Sequence, residues 1–158
     1  MRKAALLALP LLLAGHPAFA NNTSGNSALA LAALVGPHSP TLTLQQKTAL
    51  LKMIDGNLNF PFPSGQQMVV KADKVTCRAS NVDISAHSCE LTFGSTTRKL
   101  AGRFAHELYA TLIENGVPSD GAAGSMFESI TALSCTIDPS VVKQRAGGGA
   151  DCTFTPGP

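Results

Sequence analysis

The sequence predicts an α+β protein built from two tandem helix–strand–strand units, forming one four-stranded antiparallel sheet with the helices on one face. Three observations lead there. Val75, Cys77 and Ala79, then Cys89, Leu91 and Phe93, alternate with Thr76, Arg78, Glu90 and Thr92. Leu133, Cys135 and Ile137, then Cys152 and Phe154, alternate with Ser134, Thr136, Thr153 and Thr155. Side chains alternate across a strand, so every cysteine falls on one apolar face and the other face is rich in Thr and Ser. Apolar stripes at helical spacing precede each pair of strands. Finally, sliding the chain by 58 residues sets Cys135 on Cys77, Leu108 on Leu50, Asn115 on Asn57 and Leu133 on Val75. That register divides residues 41–158 into pseudo-repeats 41–96 and 97–158 of a single disulfide-bonded domain.

The chain opens with the grammar of an export signal. Arg2 and Lys3 precede a Leu/Ala run from Ala4 to Ala14, and a Gly-His-Pro break leads to Ala18-Phe19-Ala20. Small residues at Ala18 and Ala20 place the cut before Asn21, so residues 1–20 read as a signal peptide. The run, interrupted by Pro10, falls short of the ~20 apolar residues that a membrane span needs. Residues 21–40 start polar and end in Gly-Pro-His-Ser-Pro, and read as a flexible leader with a short helical turn over Ala28–Val35. Loss of Arg2 and Lys3 with the signal leaves ten basic against ten acidic residues. A neutral chain gives no reason to expect nucleic acid or an anionic membrane as partner.

In the first unit Thr43 and Gln46 fit a capping box, and Leu44, Leu51, Ile54 and Leu58 suggest the buried stripe of the helix that follows. After Gly56 comes Asn57–Gly65, NLNFPFPSG, which sets Phe60 and Phe62 between prolines. Proline stiffens extended backbone, and aromatics on a stiff loop suit recognition, so Phe60 and Phe62 are the binding candidates; the alternative is that they cap the core. The second helix reads from Leu100 through Phe104, Leu108 and Leu112, with Gly116 at its stop.

Four cysteines in an exported chain imply two disulfides. Cys77–Cys89 and Cys135–Cys152 each flank a turn on one face of a hairpin, which makes them the expected pairs. No Cys-x-x-Cys and no Cys/His cluster at ligand spacing occurs, so neither redox catalysis nor a metal is expected, and no cofactor. His106-Glu107 opens like a zinc-protease helix, but Ala110 stands where the second His would be. Arg103 and Glu107, four apart, make an ordinary helix-surface pair.

The expectation for function is an exported, non-enzymatic binding or envelope accessory protein, whose partner would be another exported protein. The rival is a small periplasmic hydrolase using His87, Asp83 and a nearby serine, Ser85 or Ser88, which would have to converge as nucleophile, base and orienting acid. Tandem helix–sheet units with a disulfide in each resemble secreted β-lactamase inhibitory proteins in outline, and no residue role is carried over from that likeness.

Overall fold

The computed structural model describes residues 20–57, 67–80, 82–118, 120–122, 125–145 and 147–157, so all of the expected signal peptide 1–20 except Ala20 lies outside the described residues. Its strands are β1 (Asn21–Ser24), β2 (Met68–Ser80), β3 (Ser88–Phe93), β4 (Thr96–Ala101), β5 (Asp120–Ala122), β6 (Ser125–Ile137) and β7 (Ala150–Pro156). Its helices are α1 (Gly25–Val35), α2 (Leu44–Ile54), α3 (Arg103–Glu114) and α4 (Pro139–Gln144), with 3-10 turns at Gly36–His38 and Ile84–Ala86.

The α+β class stands, but the sheet is wider than four strands. Six strands run in the order β1-β7-β6-β2-β3-β4, all neighbours antiparallel, and short β5 also pairs with β6. The four cysteine-bearing strands form the middle. The strands that sequence reading missed are the outer ones, and the reason is their polarity. Asn21–Ser24 contains no apolar residue, and Thr96–Ala101 buries only Leu100. An edge strand packs little of itself, and charge there blocks edge-to-edge pairing. Leu100, expected to open the second helix, belongs to β4; Gly102, with φ 61°, turns the chain into α3.

Residues 21–40, expected as a flexible leader, hold β1, α1 and the first 3-10 turn. Leu31, Ala32 and Val35 of α1 are fully buried. The side chain of Asn21 also donates to the Asn115 carbonyl beyond the end of α3, at 3.4 Å. α1 and α3 cover the apolar sheet face: Leu31 and Val35 on one side and Leu108 and Leu112 on the other meet a floor of Val70, Val75, Leu91, Ile130, Leu133 and Phe154. The opposite face, with Thr76, Glu90, Thr92, Thr136 and Thr153, is exposed or half-buried.

α2 stacks on α1 and the first 3-10 turn. Its capping box forms as read: Thr43 Oγ1 accepts from Gln46 N at 3.2 Å, and Gln46 Oε1 accepts from Thr43 N at 2.9 Å. Its buried face is only partly the expected one: Ile54 packs half-buried against the core, and Leu58 lies outside the described residues. Leu44 is 81% and Leu51 46% exposed, while Ala49, Leu50 and Met53 turn inward. A Cβ on Gly36 would overlap the Leu50 side chain and touch Val70, so the bare glycine is what lets α2 approach.

Both central strands keep one buried face only by slipping once. In β2 the buried series is Met68, Val70 and Ala72, then Val75, Cys77 and Ala79, a shift at Asp73–Lys74. In β6 it is Glu128 and Ile130, then Leu133, Cys135 and Ile137, a shift at Thr131–Ala132 where Ala132 takes φ 53°. All four cysteines are paired, Cys77 with Cys89 and Cys135 with Cys152, each across directly registered strands.

Candidate functional site

The residues considered for catalysis lie together in the β2–β3 connection, and the structure shows what each does. Asp83 caps the 3-10 turn: its Oδ1 accepts from the Ser85 amide at 2.8 Å and its Oδ2 from the Ser85 hydroxyl at 2.5 Å. The Ser85 hydroxyl, with its amide, therefore holds the Asp83 carboxyl below the usual carboxylate range. Ser80 Oγ accepts from the amides of Val82 and Asp83 at 3.2 and 3.3 Å. The Ala86 and His87 amides return to the carbonyls of Asp83 and Ile84, both at 3.1 Å.

His87 anchors this loop to the rest of the fold. The residue is only 5% exposed, and its Nε2 lies 2.9 Å from the Ser80 carbonyl. A carbonyl can only accept, so Nε2 carries the proton. Its Nδ1 lies 3.1 Å from Nδ1 of His106 on α3, so the two ring nitrogens share one hydrogen bond. The edge of Tyr109 packs against the same ring, with centroids 5.9 Å apart. The Gly102 amide donates to the His87 carbonyl at 3.0 Å, tying in the β4–α3 junction. Cys77–Cys89 closes the base of the loop.

A hydrolytic triad needs a histidine held between an acid and a serine. Here the Ser85 hydroxyl donates to Asp83 itself, and both ring nitrogens of His87 are engaged by Ser80 and His106. Ser88 lies on the polar sheet face beside Arg78 and Glu90. The acid, histidine and serines share a loop without sharing a reacting point. Phe60 and Phe62 lie outside the described residues.

What the braces hold up are Val82, 89% exposed, and Ile84, 54% exposed, one on either side of Asp83. β-branched side chains have few rotamers to lose, and a loop fixed in advance loses little freedom on binding. Sequence reading overlooked both; the available signal was two branched aliphatics inside an otherwise polar turn. It also missed Glu128, the one fully buried carboxylate among the described residues, opposite Cys77 in register. Among the described residues no helix is long and apolar enough to cross a membrane. Comparison with known families, curated proteins and solved structures finds no match for this chain, so the outline likeness to β-lactamase inhibitory proteins carries no argument about function.

Proposed function

We propose that this is an exported, non-enzymatic binding protein of the periplasm or secreted space, stabilised by two disulfides and contacting a protein partner through the Val82–Ile84 loop. One observation carries the reading: Asp83, Ser85 and His87, which could have served chemistry, are spent on rigidity, and the rigid loop presents aliphatic groups to solvent. The reading also takes residues 1–20 as a cleaved signal, so that the mature chain begins at Asn21, the first residue of β1. It further takes the domain as a duplication, with the slips in β2 and β6 standing 58 residues apart, the offset of the sequence alignment.

The test is capture of envelope proteins by the immobilised mature protein and by V82S/I84S. The expected result is a specific protein retained by the parent and lost from the variant while the fold is unchanged. Retention that ignores the loop would contradict the reading. So would ester or peptide hydrolysis by the parent that disappears in H87A.

A further inference from the structure

The helix layer carries a second apolar feature, concave where the loop is convex. Leu34 of α1, Leu51 and Ile54 of α2, Leu100 of β4, Phe104 of α3 and His38 line a trough of about 180 Å³. Phe104 is 50% exposed and Leu51 46%, which is unusual company for two large side chains in one hollow. Past Leu34 and Ile54 the trough continues along α1 into a neighbouring hollow of about 240 Å³. Burial and then the positive charges of Lys47 and Arg98 hold His38, one of the lining residues, below the ordinary histidine range, so both cations lie within electrostatic reach of that end of the trough.

Knob and trough match in size and sign. At about 30 Å³ per water-sized group, the trough holds roughly six such groups, close to the combined side chains of one Val and one Ile. The knob carries the Asp83 carboxylate between its two aliphatics, and the trough carries cations beside its apolar floor. One chain holds both halves, the requirement for a homotypic contact.

We propose that the partner of the loop is a second copy of this chain, Val82 and Ile84 of one molecule seating against Leu51, Ile54 and Phe104 of the next, with Asp83 facing Lys47 and Arg98. This names the partner of the loop described above and rests on that reading. The contact joins two different surfaces, so it closes to a dimer where the two copies reciprocate about a two-fold axis and otherwise grows into larger assemblies.

Sedimentation velocity of the purified mature protein over a wide concentration range tests it. Concentration-dependent association is expected, weaker at high salt because the paired charges are exposed. V82S/I84S and L51S/F104S should each weaken it on the order of 100-fold. The charge-reversal variant K47E/R98E, which leaves the apolar floor untouched, should weaken it too, and keeps the test sound if L51S/F104S misfolds. Mixing V82S/I84S, whose trough is intact, with L51S/F104S, whose knob is intact, should restore a one-to-one complex. A monomer at every concentration overturns the proposal, as does association that survives both knob and rim variants. Association that emerges only in F60S/F62S would assign the trough to the chain's own 58–66 segment and overturn it as well. If the parent is monomeric but V82S/I84S still loses an envelope partner, the binding loop stands and the homotypic contact fails. If neither assay responds to the loop, both fail.

Discussion

Removing the Cys77–Cys89 bridge probes the fold and the contact loop together. The bridge spans 12 residues and Cys135–Cys152 spans 17. In the chain-entropy treatment, those loops constrain the unfolded chain by about 2.8 and about 3.1 kcal/mol at 25 °C. All four sulfurs are buried, so replacing each pair by alanine also leaves a small void worth roughly 1 kcal/mol. C77A/C89A and C135A/C152A should each therefore cost about 3–4 kcal/mol and agree within about 1 kcal/mol. Urea unfolding followed by circular dichroism measures this as a midpoint lowered by about 1–3 M. The slope against urea should steepen, because an uncrosslinked unfolded chain exposes more surface. The variants should part company in binding: only the first bridge closes the base of the 80–88 loop, so only C77A/C89A should weaken the loop's contact. A stability loss under about 1 kcal/mol, or a gap above about 2 kcal/mol between the two variants, would refute the loop-entropy reasoning.

Gly36→Ala should lose about 1–3 kcal/mol in the same assay, because the new methyl overlaps Leu50. Thr43→Ala removes the acceptor for the Gln46 amide and should cost about 1 kcal/mol. V82S/I84S should stay within about 0.5 kcal/mol of the parent, since neither side chain is part of the core. His38 resists protonation in the fold, so below its ordinary pKa of 6.5 the unfolded chain takes up a proton that the folded chain does not. Its contribution is present above that pH and is lost as pH falls; His38→Asn should flatten the decline of the urea midpoint between pH 7 and 5.

The parts of the fold legible in the sequence were those fixed by local chemistry. Cys77 and Cys89 share strand parity across a short turn, which leaves a hairpin little choice of partner. Thr43 and Gln46 form their box within one helical turn. The misread parts depend on what lies on the far side of a residue. α1 reads from the sequence only as a short helical turn over Ala28–Val35 because Leu31 to Val35 are all buried. A helix covered on nearly every side shows no polar face, and an Ala-rich run between polar residues and a Gly-Pro break resembles a linker. Leu44 and Leu51 recur at seven residues and imitate a buried stripe, while Leu50 and Met53 make the contact. Leu100 satisfies both a helix stripe and a strand, and Gly102 decides the matter by its left-handed backbone. In the candidate site, Asp83 and Ser85 were recognisable as neighbours, but the partner that determines the role of His87 is His106, brought over by α3 from 19 residues away.

The claim that residues 82–87 form a fixed presenting surface is tested most directly by backbone ¹⁵N relaxation of the mature protein. Order parameters near 0.85, level with those of β2 and β3, are expected for Val82 through His87, as for rigid backbone. His106→Ala, which removes the hydrogen-bond partner of His87 Nδ1, should lower them in this loop while leaving the strands unchanged. Values below about 0.6 in the parent protein would mean that the loop is flexible, that its braces do not hold in solution, and that Val82 and Ile84 are not presented as a preformed contact.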